Sequence, residues 1–157
     1  MSIAENKNAV RRLVEEAENQ GNLDVVDEGY APDHSVRATE WGNRPSLDSI
    51  KQHILRRRAG FPDAHTTIDA LLAEGDLVAA YFTITGTQTS EYQGIPATHK
   101  VVRTTSMAVY RFAHGKIVET LSVGDTLGFL VQLDALWILQ GNAAEASTSA
   151  VSRSSSE

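Results

Sequence analysis

Cysteine is absent from the 157 residues. That absence removes disulfides, thiolate metal sites and a cysteine nucleophile together. Clustered basic charge is missing as well. The formal net charge is −6, and phosphate neutralisation needs grouped Lys and Arg, so nucleic acid is excluded as a partner. No apolar stretch approaches the roughly 20 residues of a membrane span. The first 20 residues, MSIAENKNAVRRLVEEAENQ, are charged and have no signal-peptide core. The expected setting is therefore the cytoplasm, with no membrane partner. There is no glycine-rich phosphate loop and no nucleophile elbow, and the five histidines lack metal-ligand spacing.

What is present suits one globular domain. Hydrophobic residues make up 41% and charged residues 22%, ordinary fractions for a chain long enough to bury its own core. Val10, Leu13, Val14 and Ala17 recur at helical spacing up to Gly21. Asn22 is placed to cap a short helix over 23–30, which Pro32 stops. Residues 34–45 read as irregular. Ser46 is placed to cap another helix, whose buried stripe is Leu47, Ile50, Ile54 and Leu55. Arg56, Arg57 and Arg58 read as that helix's solvated end, where cations suit the macrodipole, with an anion site as the alternative. From His65 the period shifts to two. Strands are expected over 68–73, 77–87, 101–112 and 116–123, with turns at Glu74-Gly75-Asp76 and Ala113-His114-Gly115. A last helix follows Asp125 or Thr126 and carries Leu127, Leu130, Val131 and Leu133. Residues 142–157, rich in Ala and Ser, are expected to be a disordered tail, leaving 1–141 as the domain. Helices followed by an antiparallel sheet argue for an α+β fold.

Several segments in order resemble the SnoaL-like polyketide cyclases of the nuclear transport factor 2-like superfamily. They include Asn19-Gln20-Gly21-Asn22-Leu23-Asp24, Tyr30-Ala31-Pro32-Asp33, Phe61-Pro62-Asp63, Gly94-Ile95-Pro96-Ala97-Thr98, Gly115-Lys116-Ile117-Val118-Glu119 and Asp125-Thr126-Leu127-Gly128. The resemblance implies a cone-shaped, curved antiparallel sheet wrapped around N-terminal helices, with a ligand cavity inside. It also implies a homodimer through the outer sheet face, chemistry without metal or organic cofactor, and in some relatives a partner oxidoreductase. The implied ligand is a hydrophobic aromatic small molecule.

An aldol cyclase needs a positioned base and a donor for the enolate. The resemblance gives those roles to the positions of Ser122 and Ala108, neither of which supplies a base. Asp125 is the surviving carboxylate, read as a base at the pocket rim or as a helix cap. His34 and Glu40, in the irregular segment, are the other catalytic candidates, His34 for its near-neutral pKa. Trp41 reads as a stacking platform or as plain core. By alternation Phe82, Gln88, Ser106, Tyr110 and Ser122 face the interior, and with Phe61 they form the expected substrate wall. Val118 shares Ser122's side, whereas Tyr81, Arg103, Arg111 and Glu119 face outward.

Three readings follow. The first is a cofactor-free tailoring enzyme (cyclisation, rearrangement or help to a hydroxylation) acting on an aromatic polyketide-like molecule. The second is a non-catalytic binding module. The third is a hydrolase or isomerase using His34 or Glu40.

Overall fold

The computed structural model describes residues 2–38 and 46–139. Positions 39–45 of the segment expected to be irregular, with Glu40 and Trp41, and the domain boundary expected at 141/142 lie outside these residues.

Helix α1 (Ile3–Arg12) starts in a capping box in which Ser2 and Glu5 satisfy each other's backbone N–H groups. It runs on without a break into a π-helical segment, Leu13–Asn19. Val10, Leu13, Val14 and Ala17 are buried along this length, as their spacing predicts. Gly21 follows at φ +81°, and a Cβ there would stand 2.9 Å from Arg58 Nε. A side chain at this position would both strain the backbone and displace Arg58. Helix α2 (Asp24–Gly29) is short. Helix α3 (Leu47–Gly60) is capped by Ser46, which accepts from Ser49 N.

Strands β1 (Tyr30–Ala38), β2 (His65–Glu74), β3 (Leu77–Thr87), β4 (Val101–Ala113) and β5 (Lys116–Gly124) form one curved, open sheet in the order β1-β5-β4-β3-β2. Strands β2 to β5 make an antiparallel meander. The β4–β5 turn places His114 at φ +50° and Gly115 at φ +79°, the two positive values of a tight hairpin turn. Helix α4 (Thr126–Gln132) follows β5, and the described chain runs on to residue 139.

Four sequence expectations need correction. Residues 34–38 are strand, and β1 runs parallel to β5, so the sheet is mixed. Pro32 has no N–H for a ladder, and the register breaks between Tyr30 and Ser35. An edge strand tolerates this where a central strand would not. A bulge between Arg111 and Phe112 shifts β5 by one residue. Ile117, not Val118, is therefore fully buried. Leu55 is 45% exposed, because it lies one helical step of about 100° beyond Ile54. Leu127 and Val131 are exposed as well, while Phe129, Leu130 and Leu133 carry the packing of α4 and its end.

The core divides in two. The main cluster joins α1, the π segment and α3 to the concave face of the sheet through Val10, Ile54, Val78, Phe82, Phe112 and Ile117. Each such side chain contributes about 1.5–3 kcal/mol on burial. The second cluster packs Phe61, Tyr92, Ile95, Phe129, Leu130 and Leu133 at the sheet's other end. Among the described residues no helix is long and apolar enough to cross a membrane.

Candidate functional site

Between the helices and the concave face lies a cavity of about 140 Å³. A cavity of about 150 Å³ holds one benzene ring, so this space takes a single aromatic ring. Strand register builds its floor. Ala80, Ala108 and Ser122 stand in one cross-strand row, and Val78, Tyr110 and Thr120 in the next. Two small side chains in the first row leave the room that Phe82 and Tyr110 border. Ser106, Thr120 and Ser122 add hydroxyls to the lining. Burial pushes the Tyr110 phenol up, and the neighbouring Tyr30 and Glu18 side chains add to the effect. Tyr110 therefore stays a neutral donor.

The helical side of the cavity is charged. Glu18 and Arg57 both line it, with His53 one turn before Arg57 on α3. Arg57 Nη2 lies 2.6 Å from Glu18 Oε2, with side chains 11% and 28% exposed. Arg57 is further held by the Glu18 carbonyl at 3.2 Å and Thr66 Oγ1 at 3.3 Å. Arg58 Nη1 donates to the Asn19 carbonyl at 2.6 Å. Asn19 in turn clamps Thr66, accepting from its N–H at 2.8 Å and donating to its carbonyl at 3.0 Å. The end of the π segment, α3 and β2 are thus tied together around the pair. This corrects the reading of Arg56–Arg58 as merely a solvated helix end: Arg56 is exposed, but Arg57 turns inward and Arg58 caps carbonyls of the π segment.

A second, apolar cavity of about 90 Å³ adjoins the first, with Arg57 and Ile84 lining both. Its aromatic wall is Phe61, Tyr92 and Phe129, with ring centroids 5.3 to 6.1 Å apart.

The model of the family described as SnoaL-like polyketide cyclase matches residues 8–133. The chain belongs to the SnoaL-like polyketide cyclase family. Solved structures agree. A proposed SnoaL-like polyketide cyclase from Jannaschia sp. CCS1 is 22% identical, with a TM-score of 0.78 over 86% of this chain and 96% of that one, and supports the fold alone. AclR, a proposed hydroxylase from Streptomyces galilaeus, is 27% identical over 86% of this chain and 99% of its own, with a TM-score of 0.76. IdmH, a proposed polyketide cyclase from Streptomyces antibioticus, is 27% identical over 82% and 98%, with a TM-score of 0.72. A comparison with curated protein sequences finds no match.

Within this SnoaL-like frame the residues singled out from sequence are distributed unevenly. Phe82, Ser106, Tyr110 and Ser122 line the main cavity, as does Ala108. Phe61 lines the apolar annex instead. Gln88 does not line either cavity. It is fully buried, and its amide bonds Ile95 O, Thr98 N and Thr98 Oγ1. Strand alternation ends at Thr87, so Gln88 leaves the expected substrate wall for the 88–100 loop. His34 is 2% exposed in β1, edge-on to Tyr30, and its Nε2 meets Thr120 Oγ1 at 3.0 Å. It sits behind the lining, not in it. Burial lowers its pKa from 6.5 to about 4.

Asp125 is exposed and caps α4, its Oδ1 accepting from Gly128 N at 2.8 Å. Asp125→Ala is expected to cost about 1 kcal/mol of stability and to leave ligand affinity unchanged, read by thermal melting and ligand titration. An unchanged melting curve with lost turnover would return Asp125 to the chemistry.

Sequence reasoning missed Glu18, His53 as lining, and Arg57. Helical spacing carried the signal. Glu18 is Val14 plus four, and Arg57 is Ile50 plus seven and Ile54 plus three, each one turn along a buried stripe.

Proposed function

We propose that this SnoaL-like protein is a cofactor-free tailoring enzyme acting on an aromatic polyketide-like molecule whose reacting ring enters the cavity. The observation that carries this reading is a ring-sized space joining the hydroxyls of Ser106 and Ser122 and the Tyr110 phenol to a charged pair. Apolar walls with a few convergent polar groups are what a small-molecule site needs. The names of AclR and IdmH, a hydroxylase and a cyclase, are compatible with it.

A homodimer belongs to the same proposal. On the sheet's outer face Tyr81, Met107 and Val123 stand in one cross-strand row, all exposed, beside exposed Leu72 and Leu121. A second copy is the partner such an apolar surface suits.

A non-catalytic binding module is the second reading. It is favoured by Ala108 and Ser122, paired across β4 and β5, at positions where the family resemblance expects an acid–base pair. Recovery of a bound ligand unchanged after prolonged incubation would select it.

Ala108→Phe tests the site itself. Ala108 is 5% exposed and faces the cavity, so a ring placed there fills the ligand's volume. The expected result is at least a tenfold loss of affinity for a one-ring ligand such as 4-nitrophenol. The variant should stay folded, with an overpacking cost of about 1–3 kcal/mol. A folded Ala108→Phe protein that binds like the native chain would place the site elsewhere.

A further inference from the structure

The cavity holds one carboxylate and one guanidinium that the fold does not fully use. Arg57 Nε and Glu18 Oε2 are buried without a hydrogen-bond partner among the described residues. The 2.6 Å approach of Arg57 Nη2 to Glu18 Oε2 thus gives Coulomb attraction without a well-formed hydrogen bond. Leaving buried charged atoms unsatisfied is costly to a fold. Neither atom is spent in a hydrogen bond within the described structure, and both residues line the cavity.

The two side chains come from rigid supports. Glu18 sits in the π segment, a helix form frequent at functional sites. Arg57 sits in the last turn of α3, fixed by the Glu18 carbonyl and Thr66. It also stands where the polar cavity meets the apolar annex. A ligand with its apolar body toward the annex would therefore present its polar end at Arg57.

We propose that Glu18 is the general base of this protein and Arg57 the oxyanion-stabilising group, acting on a ring-bearing ketone with an acidic α-C–H. The inference rests on the cavity being the catalytic site. Glu18 removes the α-proton: the C–H bond breaks and an O–H bond forms on the carboxylate. The C–H electron pair becomes the C=C bond, and the carbonyl π pair moves onto oxygen. The resulting enolate oxygen faces the guanidinium, a cation held in place at the cavity wall. Its carbon then attacks a second carbonyl of the same molecule. The alkoxide so formed takes the proton back from Glu18. Atoms and electrons balance with no further reactant. The acid–base function thereby comes from the helices, opposite the sheet positions of Ala108 and Ser122.

Two probes the size of the cavity separate this role from a structural one. Acetophenone carries the α-C–H, and its deuterium uptake in D2O is read by NMR. 4-Nitrophenol mimics the enolate, and the absorbance of its phenolate reports on charge in the cavity. The native protein should accelerate the exchange and favour the bound phenolate. Glu18→Gln should slow catalysed exchange by about 100-fold while binding the phenolate more tightly, since a negative neighbour is gone. Arg57→Leu should lose both, with Arg57→Lys restoring part of the phenolate preference. A merely structural pair would weaken both readouts in Glu18→Gln. Unchanged exchange in Glu18→Gln, with 4-nitrophenol binding still blocked by Ala108→Phe, overturns the base assignment and keeps the cavity as the site. Neither exchange nor 4-nitrophenol binding by the native protein overturns both.

Discussion

Gln88→Leu is expected to lower the protein's melting temperature by roughly 6–12 °C. Gln88 is fully buried. Its Nε2 donates to Ile95 O at 2.9 Å, and its Oε1 accepts from Thr98 N at 3.1 Å and Thr98 Oγ1 at 2.7 Å. Its backbone pairs with Lys100 O and His99 N as well. One side chain therefore stitches the start of the 88–100 loop to its end. Leucine preserves volume but strands the partners at Ile95 and Thr98. Each stranded group costs about 1–3 kcal/mol, so a loss near 3 kcal/mol is a restrained sum. The damage should reach the second core cluster, because Tyr92 and Ile95 on this loop pack there. Affinity for 4-nitrophenol should change much less than stability, since Gln88 does not line the cavity. A Gln88→Leu protein with native melting and lost binding would make Gln88 a ligand contact after all.

The meander was legible in the sequence because period-two alternation and turn chemistry agree. Residues 77–87 and 101–112, set out by alternation alone, reappear as Leu77–Thr87 and Val101–Ala113. Strand β1 was not legible. Its ladder to β5 is long-range, and Pro32, Asp33 and His34 carry no strand preference of their own. Only the chain's return at Ile117–Ser122 pulls residues 30–38 into the sheet. The same limit applies to side chains. Alternation places Phe82, Ser106, Tyr110 and Ser122 on the cavity floor, but it says nothing of a strand's bulge, and so it missed Ile117.

Charged residues at the end of an apolar stripe are harder to read. Charge argues for solvent, while position argues for the interior. In Arg57 position wins, because Glu18, the Glu18 carbonyl and Thr66 supply partners that three different segments bring together. No local pattern reports such partners. At Leu55 the reverse holds: an apolar residue is exposed because its angle on the helix points away. For α3, angular position is therefore the better guide than hydrophobicity.

His34 is expected to make the fold acid-sensitive well above the range of ordinary carboxylates. It is 2% exposed, and burial depresses its pKa from 6.5 to about 4. Nε2 meets Thr120 Oγ1, but Nδ1 is buried with no hydrogen-bond partner among the described residues. Protonation would put an N–H on each nitrogen and leave one with nothing to donate to. Between pH 6.5 and pH 4 the unfolded chain therefore holds a proton at this position that the folded chain refuses. Stability from the neutral ring is complete above about pH 6.5 and is lost as pH falls through about 4. At about 1.4 kcal/mol per pKa unit, the full loss is about 3.5 kcal/mol. Because Thr120 lines the cavity, this loosening should reach the ligand as well as the fold. Denaturant unfolding at pH 7.0, 5.5 and 4.0 (about one step per pKa unit and a half across the window) should show the drop in the native chain. His34→Gln keeps a donor for Thr120 but cannot titrate, so the difference between the two curves isolates the imidazole. Parallel curves for the native chain and His34→Gln would show that His34 takes up its proton equally in both states, and that carboxylates alone govern the acid limb.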